Sequence, residues 1–466
     1  MAIPMLIPGA ISYFLLKPNR YSLKLQMELK FINHNTMKTN NLFLNLTLLV
    51  CLLFPAMFAF GNQTPVRIDL KPQGTVLMTD SIQAAINKCA ALGGGTVVFP
   101  QGQYLSGGLE LKSNITLHLE KGAVLLGSDK YADYNAKHDA FIYGENLSNI
   151  AITGEGTIDG VDTYNPDGEE GFRGPHCIRL IKCKDINFTG ITIKNSANWA
   201  INCRYCSFGT VKNVTILAGH DGLHTRFCDN FTVTGCDFST GDDAFAGNDN
   251  RDFVISDCKI NTACNGFRIG CMNFTVQRCK IYGPGKYVHK IQKRSNMLSA
   301  FVHFSPKDDH SVIKSGNWLI KDVIIENVDR VYNYNFENGL WQTGQPVTNL
   351  RFENVKATGI LSAFYIIGDT ARSFSLEIKN SQFSYRDGAV YNAAEFEGVK
   401  ILSHDLFYAQ NFDEIKLRKV ILEKKDTPPL NLNSGNLVSL KRVSFITTNT
   451  AVPYKFDKIE EIKNKN

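Results

Sequence analysis

The 466-residue chain has 44% hydrophobic and 20% charged side chains, which excludes an intrinsically disordered protein. Five basic residues (Lys17, Arg20, Lys24, Lys30, Lys38) and one acidic residue (Glu28) in the first 61 positions supply four of the six net positive charges. The remainder is nearly neutral, so nucleic-acid binding has no electrostatic support, and an acidic ligand must be held by local groups.

In chain order, residues 1–36 carry an apolar patch, MLIPGAISYFLL, followed by a basic mixed stretch, and read as an over-extended start. Met37 then opens a lysine, an apolar run and small residues at Ala59 and Gly61, which predicts a secretory signal peptide over 37–61. The mature chain, 62–466, is expected as a single monomeric domain, secreted or periplasmic, with no membrane contact after cleavage. Residues 62–130 are expected to form a cap and the first coils. There Thr79 or Asp80 offers an N-cap, Ile82, Ala85, Ile86 and Cys89 fall at helical spacing, and glycines stop the helix.

From there a short unit recurs: Asn or Asp, then apolar, polar, apolar. It appears as NIAI from Asn149, DINF from Asp185, NVTI from Asn213, NFTV from Asn230, DFVI from Asp252, NFTV from Asn273 and NLRF from Asn349. The period of two marks strands, and the leading Asn or Asp suits a turn in left-handed geometry. Several units lie 21 or 22 residues apart, about one coil of a solenoid. An all-β parallel β-helix follows, with coils stacked ~4.8 Å apart and equivalent positions forming ladders. Cys183, Cys206, Cys228, Cys258 and Cys279 recur at similar spacing and are expected as small apolar rungs that remain thiols. Beyond about Asp413 the chain turns lysine-rich and the pattern weakens, so 413–466 is expected as a C-terminal cap or tail.

The chemistry centres on FSTGDDAFAGNDN, Phe238 to Asn250, with adjacent carboxylates at Asp242 and Asp243. Asp221 lies 21 residues earlier, which places it one coil below on the same face. Three converging carboxylates suit glycosidic hydrolysis: one acid protonates the leaving oxygen, one base activates water, and like-charge crowding raises the pKa of one member. An inverting pair stands ~6.5–9.5 Å apart to admit the water. Rival readings are weaker. His220-Asp-Gly-Leu-His224 imitates a zinc motif that needs a helix, and Gly222 in a strand context argues against one. Cys203 and Cys206 form a lone pair, and AGNDNRD lacks calcium-loop spacing, so no metal or cofactor is expected. Trp199, Tyr287, Tyr332 and Trp341 could stack on sugars, with ordinary packing the default. Arg268 and the run His289–Arg294 could hold a carboxylate, with a solvated basic loop as the default.

Between Ile68 and Gly388 the chain resembles glycoside hydrolase family 28, the polygalacturonases and their pectin-cleaving relatives. The resemblance is carried by DSIQAAINKCAALGGGTVVFPQGQYLSGGLELKSNITLHLEKGAVLLGS, FIYGENLSNIAITGEGTIDG and NSANWAINCRYCSFGTVKNVTI. It implies a right-handed coil, an inverting mechanism and a polysaccharide or oligosaccharide substrate, with Asp242 as the acid and Asp221 and Asp243 positioning and deprotonating water. The family's sites are built from Asn-Thr-Asp, Gly-Asp-Asp, Gly-His-Gly and Arg-Ile-Lys. Here Gly219-His220-Asp221 takes the first place, Gly241-Asp242-Asp243 keeps the second, and Cys264-Asn265-Gly266 takes the third with asparagine for histidine. Arg-Ile-Lys is missing; SAFVHFSPKD falls about where it belongs. His220, Asn265, Arg268 and His303 are therefore the candidate substrate-binding residues, with Arg268 or His303 replacing the lost charge. The departures favour a pectic bond other than plain polygalacturonate, such as one in rhamnogalacturonan, or a neutral or unusual sugar. Two other classes remain: a non-catalytic carbohydrate-binding β-helix, indifferent to Asp221→Asn, and a polysaccharide lyase, which needs a basic proton abstractor and usually calcium.

Overall fold

Alternating apolar residues commit each short segment to a strand, and the strands pair in parallel with the third strand ahead. In the computed structural model, which describes residues 66–388, 390–391, 400–401, 406–424, 430–447 and 454–465, one coil contains the strands His176–Ile181, Lys184–Thr189 and Thr192–Lys194. They pair in parallel with Ile201–Arg204, Ser207–Lys212 and Thr215–Ala218 of the next coil. The expected start and signal peptide, 1–36 and 37–61, lie outside the described residues.

The site is carried on one wall of this stack: β1 (His176–Ile181), β2 (Ile201–Arg204), β3 (Leu223–Arg226), β4 (Phe245–Ser256), β5 (Asn265–Gln277) and β6 (Met297–His303). The inward column runs Ile178, Ile201, Leu223, Phe245, Phe267, Phe301. Phe245 and Phe267 stack at 4.6 Å and Phe267 and Phe301 at 5.1 Å, in the buried core. One residue further along, the column turns outward as Arg179, Asn202, His224, Ala246, Arg268, Val302. Core and cleft are two faces of the same strands.

The turn expectation is met at Asn149, Asp185, Asn213, Asn230, Asp252 and Asn273, all with φ between 52° and 59°. Their side chains also bond one another up the stack: Asn273 donates to Asp252 (2.7 Å) and Asn317 donates to Asn273 (2.9 Å). The eleven cysteines from Cys89 to Cys279 are buried free thiols, as a small-residue ladder requires.

Helix α1 (Thr79–Ala91) buries Ile82, Ala85, Ile86 and Cys89, the expected face. Its N-cap is Met78, not Thr79 or Asp80, and no side chain caps it. Thr79 is used elsewhere: its Oγ1 accepts the Gly107 N–H at 2.8 Å. The stretch beyond Asp413, expected as a cap or tail, continues the stack in β7 (Phe407–Glu423), β8 (Leu430–Ile446) and β9 (Tyr454–Lys465), paired in parallel. Surface lysines alternate there with buried Ile415, Leu417, Val438 and Leu440, so the weakened pattern was a polar face.

Candidate active site

Two turns that enter β3 and β4 place the carboxylates, and Asn265 opens β5. The coil here is 22 residues, since Leu223 pairs with Phe245 and Phe245 with Phe267. Asp221, Asp243 and Asn265 are therefore equivalent positions, tied by Gly222 N–H to Asp243 O (2.9 Å) and Ala244 N–H to Asn265 O (3.0 Å). This corrects the expectation that Asp242 stands over Asp221: Asp242 stands over His220, one residue off. The convergence still holds, because one oxygen from each of Asp221, Asp242 and Asp243 lies within 4.8 Å of the others. Asp221 and Asp243 are 1% and 0% exposed, whereas the Asp242 side chain keeps 18%. Asp242 is thus the member that faces solvent.

Each carboxylate has its own supports. Asp243 accepts from the Asn265 backbone (3.1 Å) and side chain (2.8 Å) and is ion-paired with the Arg268 guanidinium. Arg268 also lies 4.2 Å from the Phe304 ring and 5.2 Å from Trp341. Burial opposes its charge, but Asp243, Asp221 and Asp242 together hold it on. Asp221 accepts from His224 Nδ1 at 2.9 Å, while its Oδ1 is buried without a partner. His224 is stacked on Trp199 at 3.6 Å, and burial, reinforced by nearby arginines, keeps it neutral. Asp242 accepts the Asp243 N–H at 3.0 Å, and its other oxygen faces His289 Nε2 at 3.6 Å and Arg173 Nη2 at 4.0 Å.

These surroundings separate the acidities. Burial raises the Asp221 carboxyl well above the usual range, and the charges of Asp242 and Asp243 add to this. Burial also opposes ionisation of Asp242, but His289, Arg268 and Arg173 outweigh it and hold that carboxyl below the usual range. Burial first, and the expected crowding second, thus favour a proton on Asp221 rather than on Asp242. The proton belongs to the coupled group.

The other sequence candidates divide. Asn265 and Arg268 reach the trio, but both are engaged by Asp243. His220 is 1% exposed, stacked on Phe172 at 5.9 Å, and pushed down to about 2 by burial and then by Arg173 and Lys290; it sits beneath the site as a neutral ring. His303 does not join them. It pairs with Ile269 in an inward column, is 0% exposed, and has Nε2 at 2.8 Å from Gln345 O. Strand alternation points it into the core, so it cannot replace the missing charge.

Arg173 escaped the sequence reading, and His289 entered it only as part of a basic run. Arg173 carries no periodic signal; its Nε is held by Glu170 at 2.7 Å, which aims Nη2 at Asp242. His289 belongs to the basic run taken by default as a solvated loop, yet it is only 6% exposed. The excursion between Tyr282 and Met297 was its only signal. Its Nδ1 accepts the Ile291 and Gln292 N–H groups (3.3 and 3.1 Å), so the ring proton is on Nε2, facing Asp242. Asp242, Cys264 and His289 also come close enough to suggest a metal. That tautomer presents an N–H where a metal needs a lone pair, and Arg294 Nη2 lies 3.6 Å from the Cys264 sulfur.

Residues 89–272 match the family model described as glycosyl hydrolases family 28. A protein from Vitis vinifera described as "Probable polygalacturonase" is 29% identical over 37% of this chain and 41% of its own length. An exo-poly-alpha-D-galacturonosidase of Dickeya chrysanthemi is 37% identical over 19% of this chain and 18% of its own length. The chain thus spans less than half of either relative. Among solved structures, the family 28 exopolygalacturonase of Yersinia enterocolitica superposes with a TM-score of 0.56 at 16% identity, over 86% of this chain and 79% of that one. PfbA, a surface adhesin of Streptococcus pneumoniae, reaches 0.54 at 13% identity, over 85% of this chain and 93% of that one. At these identities both likenesses speak to the fold alone, and that fold serves an adhesin as well as an enzyme. The family resemblance read from the sequence has its support in residues 89–272, which are similar to glycosyl hydrolases family 28.

Proposed function

We propose that this chain is a secreted glycoside hydrolase that inverts the anomeric centre while cutting a glycosidic bond in pectic or related plant polysaccharide. The observation that carries the reading is the exposure of Asp242 beside the buried Asp221, whose carboxyl holds a proton, and the buried Asp243. Asp242 delivers that proton to the leaving oxygen. Asp243, ionised against Arg268, and Asp221 hold the attacking water and take up its proton, leaving the trio with the same proton count. His289 and Arg173 stabilise Asp242 once it has given its proton up. General acid catalysis of this kind contributes roughly 10²–10⁴-fold. The reading includes a monomer, a right-handed coil, the hand that parallel crossovers take in nearly all cases, and α1 as its cap.

Asn265 Nδ2 and Arg268 Nε serve Asp243, which sets the Arg268 charge against a carboxylate of the trio rather than against a uronate at the bond being cut. This supports a pectic bond other than plain polygalacturonate, rhamnogalacturonan included. One observation favours a second mechanism: the nearest carboxylate oxygens lie within 4.8 Å, closer than the ~6.5–9.5 Å typical of inverting pairs. A covalent, retaining route suits that spacing. Incubating residues 62–466 with a panel of pectic fragments and following the product anomer by NMR tests both. Inverted product that disappears in Asp242→Asn supports the proposal, retained product replaces it with the second mechanism, and full activity in Asp242→Asn removes it.

A further inference from the structure

Beside the trio, on β1, β2 and β3, three arginines gather with little to neutralise them. Arg204 and Arg226 are register partners on successive coils, and Arg179 lies on the coil before, one outward position closer to the trio. Strands in register stand ~4.8 Å apart, so the Arg204 and Arg226 side chains leave the sheet side by side. Arg226 is partly satisfied by Asp309, through the backbone oxygen at 2.8 Å and the carboxylate at 3.5 Å. Arg179 donates to His138 O at 2.9 Å. The Arg204 side chain has no hydrogen bond or ion pair among the described residues. The Nε atoms of all three are buried without a partner. Burial and the charges of Arg179 and Arg226 push the Arg204 guanidinium downward, with Asp309 offsetting part of this.

Nearby, His176 Nδ1 and Asn202 Oδ1 are likewise buried and unpartnered, and Tyr205, 55% exposed, stacks at 4.9 Å on Phe227 at the edge of the arginine column. Buried polar atoms in folded proteins nearly always find partners. A concentration of orphans on three consecutive coils, mostly cationic, marks a place where an anion completes the structure. Arg204 and Arg226 sit five residues along their strands from Trp199 and Asp221, ~16 Å of backbone at ~3.3 Å per residue. An oligosaccharide of a few units bridges that span.

We propose that Arg179, Arg204 and Arg226 form an anionic-sugar subsite, which takes the carboxylate of a uronate lying a few rings from the bond being cut. The ligand rests on the polysaccharide reading above. The guanidinium fork matches a carboxylate in a bidentate manner, and Tyr205 offers the sugar ring an aromatic ledge. Acid recognition is thereby moved away from the catalytic carboxylates, where Arg268 is already committed to Asp243.

The test is calorimetric binding of trigalacturonate and its fully methyl-esterified form to the Asp242→Asn protein, which separates binding from turnover. The free acid should bind at least tenfold more tightly than the ester and weaken with added salt. Adding Arg204→Gln should remove about tenfold to a hundredfold of the acid's affinity, leave the ester unchanged, and be partly rescued by Arg204→Lys. The ligand-free melting temperature should hold or rise, because repulsion is relieved; a purely structural arginine would lower it. Equal binding of acid and ester, or indifference to Arg204→Gln in the folded variant, overturns the subsite while leaving hydrolysis intact. Acid-selective binding by a wild type that releases no product upholds the subsite and removes the hydrolase reading.

Discussion

The central coils, His176 to Arg268, and the last coils, Phe407 to Lys465, use one architecture for different ends. In both, parallel strands place apolar residues inward at every second position. On the last coils the outer face carries exposed pairs such as Lys463–Glu461 at 3.1 Å, with both partners about half exposed. On the central coils that face buries Asp221, Asp243, His224 and much of Arg268, with several polar atoms left unpaired. Stacking needs neither arrangement, so charge burial marks the candidate site on the solenoid.

Four single changes and one double variant probe that contrast, from the largest effect to the smallest. Arg268→Met strands the Asp243 carboxylate in a dry site, and should cost about 3–5 kcal/mol in denaturant unfolding along with most activity. Adding Asp243→Asn should restore stability but not turnover, which separates the charge's two roles. Phe267→Ala, on the inward side of the next position, should cost a comparable ~3–5 kcal/mol by opening a cavity, while the surviving folded fraction keeps its pH profile. His289→Phe should lower turnover less. Without its Nε2–H the Asp242 carboxyl rises, so the coupled trio keeps its proton to higher pH and the alkaline limb of the pH–rate profile should move up. Lys463→Ala, on the last coil, should leave both activity and unfolding midpoint unchanged.

The pH dependence has a definite sign. Asp221 is raised, so the proton needed for catalysis is present at low pH and lost as pH rises through that value; turnover should fall on the alkaline side. Asp242 is lowered, so the stability its ionised form contributes is present above its unfolded pKa and is lost as pH falls through the folded one. Rate and stability therefore fail at opposite ends, which parallel pH series of turnover and thermal melting would resolve.

The sequence made the repeating part of this legible. Asn213, Asn230 and Asp252 announced their turns, because a short polar side chain tolerates positive φ where others are strained. Asp221 and the Asp242–Asp243 pair were found because the repeat turns sequence distance into contact. The one-residue error in their alignment came from coils that vary between 21 and 22 residues. Arg204 and Arg226 shared the cysteines' spacing and could have been found by the same argument. His303 was misplaced because a lone histidine does not reveal which face of its strand it occupies. Arg173 and His289 act from outside the repeat, where periodicity carries no information and only the folded excursion brings them to Asp242.

Coils in register make this wall a ruler with marks ~4.8 Å apart. A group can be moved toward or away from the cut only by whole marks along the stack, or by two residues along a strand if it is to stay on the outer face. Specificity on such a scaffold changes in steps: Arg204 could be carried one coil further from Asp221 and Arg226 by inserting a 22-residue cassette between β2 and β3, but no single-residue insertion would do it without turning the cleft inside out.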